Sequence, residues 1–448
     1  MNSFDLYTKT SPVKLFLIVA IPGSISMLVS SLWGIFDSIF VGSFLGETAF
    51  AAMNLGIPFV LINSSLADLI GVGSAVPISI ALGKGEKDEA NNYFTCACIT
   101  IVTLGAISGF ILYLGAPFIL KAMGAEGELA ELGIAYLRTY AIFSPFSTIV
   151  FAMDNFLRIC GKIKSSMTLN IAMSAMILVV QYLCICVFKI GIIGSPIAVA
   201  GGQMICAVIA LIPFIRGKLT LRFCRPRFSF RIVRQFVSSG FPNFLNNMAS
   251  RITSILMNRV LLQMGGTAAV TVYGILLNIG DLVQYFLYGS CDSLQPAVGY
   301  NWGNKQDDRV KRIVKCTLVA SAIISVGGMV LMQLLPETLV SLFLGEESRY
   351  LLPMTVNALR LYCLVNLFRW FPFAIQSFFI AIDKPAPASV ISIMNSLVVP
   401  VALMILLYPL KLTGIWINAT VTAIIVSVLT IIIFCWMKKR GQFELEPY

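Results

Sequence analysis

Apolar runs long enough to cross a bilayer follow one another along almost the whole chain, separated only by short polar or Gly/Pro stretches. Lipid offers the backbone no hydrogen-bond partner, so runs of about 20 or more such residues fold as helices. Twelve are predicted, near residues 15–44, 51–80, 92–119, 132–157, 166–188, 193–215, 236–263, 268–298, 314–335, 354–380, 388–408 and 412–437. A hydrophobic share of 58%, only 12% charged residues and a mean hydropathy of +0.88 lie outside the range of soluble domains. The fold class is therefore an all-α polytopic membrane protein.

The pattern is used twice. At an offset of 220 residues Pro22 falls on Pro242, Gly46 on Gly266, Ala49 on Ala269, Gly83 on Gly303 and Gly194 on Gly414. At an offset of 222, Leu137, Arg138 and Tyr140 fall on Leu359, Arg360 and Tyr362, and Lys162 on Lys384. Six crossings return the chain to its starting face, so two six-helix lobes related by a pseudo-two-fold axis along the membrane normal are expected. The expected division is a cytoplasmic N-terminal segment 1–14, an N-lobe 15–215, a basic linker 216–235, a C-lobe 236–437 and a cytoplasmic tail 438–448. Residues 1–12 are polar and no small-residue cleavage site follows the first run, so no removable leader is expected.

The net charge of +11 reflects orientation rather than nucleic-acid binding. With the N-terminus inside, twenty-three of the 32 Lys and Arg fall in inside segments and four in outside loops, while five lie within helices or at their ends. By the positive-inside rule both termini are cytoplasmic. The 11 cysteines lie mostly in apolar runs, at spacings that suit packing better than metal or disulfide pairs. There is no histidine, so proton coupling must run through carboxylates. Lys84 and Lys162 follow glycines, but Gly85 and Ile163 stand where a phosphate-binding loop needs a hydroxyl. Without a catalytic triad or metal motif either, an enzyme is not expected, and the energy source is an ion gradient or the substrate's own gradient.

Polar stripes mark helix faces that lipid would not tolerate. The first run carries Ser26, Ser30, Trp33 and Asp37; the second Asn54, Ser64, Ser65, Asp68 and Gly71; the fifth Asn170, Ser174 and Gln181. Asp37 has no neighbouring Lys or Arg, and a lone acid at membrane depth marks an ion or substrate path. In the second half, Asn243, Asn246, Asn247, Ser250, Ser254 and Asn258 share the seventh run with Arg251 at the edge, and Tyr362, Asn366, Arg369, Phe373 and Gln376 share the tenth. The eighth carries Asn278, Asp281, Gln284, Tyr285, Tyr288, Asp292 and Gln295. Interhelical hydrogen bonds, worth about 0.5–2 kcal/mol each, account for many such residues. Two carboxylates and two tyrosines within about four turns exceed what packing needs, and offer an organic cation charge attraction and ring faces. Arg251 and Arg369 either neutralise Asp281 or contact substrate.

These residues resemble the multidrug and toxic compound extrusion (MATE) transporters over nearly the whole chain. Gly240-Phe241-Pro242, Asn258-Arg259, Gly265-Gly266, Tyr273-Gly274-Ile275 and the run Gln295 to Gly303 are similar to that family's second half. Phe156-Leu157-Arg158 with Gly161, and Gly71-Val72-Gly73 before Ala81-Leu82-Gly83, are similar to its first. The likeness is to the MepA-like or DinF-like branches. It implies two six-helix lobes around a central cleft that export amphipathic, often cationic compounds in exchange for protons or sodium. Asp37 matches the family's acid on the first helix, implicated in cation binding. Where many members have an Asp on the fifth helix this chain has Gln181, with Ile177 in place of the usual nearby Asn, and Arg369 stands near where a tenth-helix Asp would be.

The expected function is thus multidrug efflux by alternating access, in a bacterial cell membrane and as a monomer. The coupling ion is a proton or sodium, with no other cofactor and no nucleic-acid partner. Asp37, Asp68, Asp154 and Gln181 are the candidate coupling residues. Asp281, Gln284, Tyr285, Tyr288, Asp292, Asn247, Ser254 and Arg369 are the candidate substrate contacts. The alternatives are flipping of a lipid-linked saccharide, whose pyrophosphate Arg251 and Arg369 could meet, and export of an anionic or zwitterionic metabolite.

Overall fold

The computed structural model describes residues 2–344 and 346–441, apart from the side chains of residues 30–36, 38, 39, 47 and 346–348. The side chains of Ser30 and Trp33 of the first stripe, and most of the expected C-terminal tail, lie outside what is described. Every regular element among the described residues is helical.

After a short helix, Ser3–Lys9, the spans are Pro12–Leu45, Glu47–Lys84, Lys87–Ala122 and Gly127–Ile159, then Ile163–Val187 and Gly191–Ile215. A continuous helical stretch, Phe230–Gly303, holds two more spans, because Gly266 breaks it at φ 64° and ψ −158°. Then come Asp307–Leu334, the bent pair Arg349–Leu367 and Trp370–Ala381, Pro385–Leu406 and Lys411–Lys439. With the Gly266 break and the bent pair resolved in this way, the described helices amount to the twelve expected spans. They are called first to twelfth below.

Backbone conformation repeats with the sequence. Gly46 joins the first two spans at φ 85° and ψ 178°, as Gly266 joins the seventh and eighth. This backbone region is open essentially to glycine alone, which explains why both positions keep it. At the end of the second span Gly85 (φ 84°) closes the helix by donating to the Leu82 carbonyl while Glu86 donates to Ala81. Its equivalent at the 220 offset is Lys305 (φ 54°), with Lys305 donating to Trp302 and Gln306 to Asn301. Gly161 and Asp383, then Gly191 and Lys411, form two more left-handed pairs at the 222 and 220 offsets. Three second-half positions thus hold a positive φ without glycine, a backbone region that side chains rarely adopt.

The chain forms two compact units, one of residues 1–9 and 25–240, the other of 10–24 and 241–448. This differs from the expected lobes, 15–215 and 236–437. The start of the first span packs with the second half, and the linker with the first turns of the seventh span packs with the first half. Small residues account for the exchange. In the first unit, a Cβ on Gly240 would lie 1.8 Å from the Leu69 carbonyl oxygen and one on Gly73 1.9 Å from that of Phe236. In the second, a Cβ on Gly289 would lie 2.3 Å from the Ser24 Cα and one on Gly23 1.9 Å from the Ser293 Oγ. Backbones meet there at distances that only glycine permits. Leu69 and Gly73 are the repeat equivalents of Gly289 and Ser293, so the same face of the second and eighth spans receives a crossing segment in both units.

Each unit has its own apolar core. Ala49, Ala52, Leu137 and Tyr140 lie in the first, and their equivalents Ala269, Val272, Leu359 and Tyr362 in the second.

Candidate functional site

In the first unit the acid of the first span is enclosed. Asp37 is buried, and so are the two side chains that reach it, Gln181 near the end of the fifth span and Ser195 at the start of the sixth. The Gln181 amide and the Ser195 hydroxyl, the latter at 2.8 Å, both donate to Asp37 Oδ1. No Lys or Arg forms an ion pair with Asp37 among the described residues. The Gln181 amide oxygen is buried without a hydrogen-bond partner. An acid held only by neutral donors can gain or lose a proton without breaking an ion pair, which a paired carboxylate cannot.

Two further polar groups brace this unit. Asn63, buried in the second span, donates to the Tyr140 hydroxyl at 3.3 Å and to Ser144 at 2.8 Å, and accepts from Ser108 at 2.5 Å. It ties the second, third and fourth spans together. Asp154, grouped with the coupling residues from sequence, stands in a different environment. Its carboxylate meets Arg158 at 2.6 Å and accepts from Asn170 at 2.9 Å and from Ser166, while Arg158 also donates to Ser166 at 3.2 Å. The Tyr7 hydroxyl of the N-terminal helix donates to the Arg158 carbonyl. Asp154 thus sits in an ion-paired, hydrogen-bonded brace, whereas Asp37 accepts from neutral donors. Asp68 is half-buried in the second span.

In the second unit Asp281, Tyr285, Tyr288 and Asp292 are all half-buried along one side of the eighth span, whereas Leu282 and Phe286 between them are exposed. Tyr288 packs on Phe373 of the tenth span, ring centroids 4.6 Å apart, and Gln284 lies beside it. Arg369 sits where the tenth span bends by 42°, just after a tight turn over Cys363–Leu367, and faces Tyr362, Tyr288 and Asp281. Arg251 also bears on Asp281, yet neither arginine closes to an ion pair with it within 4.0 Å. Asp292 is engaged locally: Gln295 and Ser377 donate to its Oδ1 at 3.0 and 3.4 Å. Asn247 and Ser254 are half-buried on the seventh span. Their neighbours Asn246 and Thr253 both hydrogen-bond Ser396, in the widened helical turn Met394–Val398 of the eleventh span.

The stripes thus fall into two separate groups. Asp37 accepts from Gln181 in one unit, and Asp281 faces the tyrosines and Arg369 in the other without closing on them. Sequence reasoning missed Ser195, Asn63 and Ser377. Ser195 follows the repeated Gly194 but stands alone in an apolar run, and Asn63 sits one position before the Ser64 and Ser65 of the second-run stripe. An ideal helical period through the tenth span points to Gln376, but past the bend before Trp370 it is Ser377 that reaches Asp292.

The MatE family profile matches residues 22–183 and 242–406. The multidrug export protein MepA of Staphylococcus saprophyticus is 25% identical over 79% of this chain and 80% of its own length, and that of Staphylococcus aureus 24% identical over the same shares. Among solved structures, a MATE protein crystallised in complex with MaL6 superposes with a TM-score of 0.92 at 21% identity, covering 98% of this chain and 100% of its own. A transporter of the MOP superfamily from Pyrococcus furiosus, described as having a binding pocket of reversed polarity, superposes at 0.90 with 20% identity, covering 98% of each chain. With both halves matched in order over most of the chain, this protein belongs to the MatE family, and it is a multi-pass membrane transporter rather than an enzyme.

Proposed function

We propose that the chain exports amphipathic organic cations in exchange for protons, by alternating access, with Asp37 as the coupling acid. The observation that carries this reading is the setting of Asp37: buried, held by two neutral donors and paired with no cation among the described residues. Such an acid takes a proton when its site faces the proton-rich side and gives it up on the other. Exchange follows if a protonated Asp37 and a bound substrate disfavour each other, since only differential affinity couples two ligands. One proton moving along the potential supplies roughly 2.3 kcal/mol per 100 mV, enough for about a fifty-fold concentration ratio. Asp281 and the rings of Tyr285 and Tyr288 supply charge and π-faces for the cation. The names of the staphylococcal relatives support export of drug-like compounds, and the charge distribution supports cytoplasmic termini.

A second reading rests on Arg369 and Arg251, which place two positive charges toward the same stripe. These would suit an anionic or zwitterionic substrate, including a lipid-linked pyrophosphate.

Efflux of a fluorescent cation from proteoliposomes, with proton and sodium gradients imposed separately, tests the proposal. Export driven by the proton gradient alone is expected. Export driven only by sodium would replace the coupling ion. No cation export under either gradient, together with movement of an anionic lipid analogue, would install the second reading.

A further inference from the structure

The linker between the halves, residues 216–235, holds seven Lys and Arg and no acid. A run that serves only to orient the chain during insertion needs no defined conformation, yet this one is pinned. Asn91 Oδ1 accepts from the Arg222 backbone N–H at 2.8 Å, the Thr95 hydroxyl from that of Cys224 at 3.1 Å, and Asn92 Oδ1 from that of Arg227 at 2.7 Å. Phe223 packs on the buried Phe94, centroids 4.9 Å apart, and Leu221 is wholly buried just before it. The acceptors lie in the first turns of the third span, about 6 to 12 Å along the axis from its start at 1.5 Å per residue. The strap then runs straight into the seventh span at Phe230. It therefore lies at the level where two spans leave the bilayer.

What the pinning turns outward is chemically uniform. Every residue from Arg222 to Arg231 is exposed. Phe228 and Phe230, 50% and 83% exposed, are apolar groups that water alone would not favour. The nearby acids Glu86, Asp88 and Glu89 belong to the turn before the third span and its first residues, and Glu89 already accepts from Tyr93 at 2.5 Å. We propose that this strap is a docking surface for anionic lipid headgroups: Arg222, Arg225 and Arg227 take the phosphates, and Phe228 and Phe230 enter the boundary between headgroups and acyl chains. Basic residues beside aromatic ones at a span end are the combination an anionic leaflet recognises.

The test uses the full chain in nanodiscs of phosphatidylcholine with either spin-labelled phosphatidylglycerol or spin-labelled phosphatidylcholine, reading the motionally restricted fraction. A preference for phosphatidylglycerol is expected, weakened by salt and untouched by millimolar inorganic phosphate. The triple variant Arg222→Gln, Arg225→Gln, Arg227→Gln should lose most of that preference. A second variant, Asn91→Ala with Asn92→Ala, keeps every arginine but frees the strap, and should lose part of it. Equal restriction of the two lipids in the wild type, or a preference unchanged in both variants, overturns the proposal. So does displacement of the lipid by an oligonucleotide or an acidic peptide, which would make the strap a site for that partner.

Discussion

The two units hold their membrane-depth acids in opposite ways. In the first, Asp37 is buried and, among the described residues, accepts from two neutral donors, Gln181 of the fifth span and Ser195 of the sixth. In the second, Asp281 is half-buried and faces two arginines and two tyrosines without closing on any of them. The sequence repeat relates the frames but not the sites: at the 220 offset Asp37 falls on Met257 and Asp281 on Leu61. Duplication thus supplied one scaffold twice. Divergence placed a carboxylate among neutral donors in one copy and a mixed-charge, aromatic environment in the other. A neutral cage suits a group whose charge must change, whereas an open field of opposite charges suits a ligand that must come and go.

The sharpest way to test this comparison is to contrast Asp37 with Asp154, the acid of the same unit that has a cationic partner. Asp154→Ala strands the buried Arg158 guanidinium and should destabilise the protein by about 3–5 kcal/mol, visible as a lowered Tm. Replacing Arg158 as well, with leucine, should recover part of that loss. Equal stability of the single variant and the wild type would remove the brace.

Asp37→Asn should leave Tm nearly unchanged and abolish gradient-driven accumulation, the whole of the roughly 2.3 kcal/mol per 100 mV that one proton supplies. Asparagine keeps the size of the side chain and its acceptor oxygen but cannot exchange a proton. Unchanged export by the Asn variant would move coupling to Asp68. Ser195→Ala removes one of the two donors to Asp37, a hydrogen bond to a chargeable group worth about 1.5–3 kcal/mol. Because that bond favours the ionised acid, its loss should move the pH midpoint of export upward; a downward or absent shift would break the assignment.

In the second unit Tyr288→Ala should weaken binding of flat cationic dyes by about three- to thirty-fold, from a cation–π contact of about 0.5–2 kcal/mol, and neutral compounds less. Indifference of cationic dyes to both this variant and Asp281→Asn would take the stripe out of the substrate path. The smallest effect compares the repeated turns themselves. Gly85→Ala, at φ 84° with open space around it, should cost about 1 kcal/mol. Lys305→Ala at the equivalent turn should cost next to nothing, because a Cβ is already carried there. Similar losses in a denaturation series would mean that the two turns are not equivalent.

Much of the architecture was legible from the chain alone. Run length set the number of spans, since the bilayer sets how many apolar residues a helix needs. The repeat announced the two units, and Gly46 with Gly266 marked matching junctions, because a backbone conformation open only to glycine leaves its mark on the sequence. Asp37 and Gln181 were legible as candidates because polar groups in apolar runs are costly and therefore rare. That the two meet, with Ser195 completing the cage, was decided by packing between spans far apart in sequence. The pairing of Asp154 with Arg158 is local, one helical turn apart on the same span, whereas Ser166 and Asn170 reach it from the next span by packing. The unit boundaries were also invisible, because the exchange of residues 10–24 and 230–240 depends on glycines meeting backbone hundreds of residues away. The meeting of Ser377 with Asp292 depends on the bend before Trp370, where an ideal helical period no longer applies. Sequence determined which segments enter the membrane and which residues are costly there. Tertiary structure decided what each of those residues faces, because a side chain's partner is set by contacts between helices, and local periodicity carries no record of them.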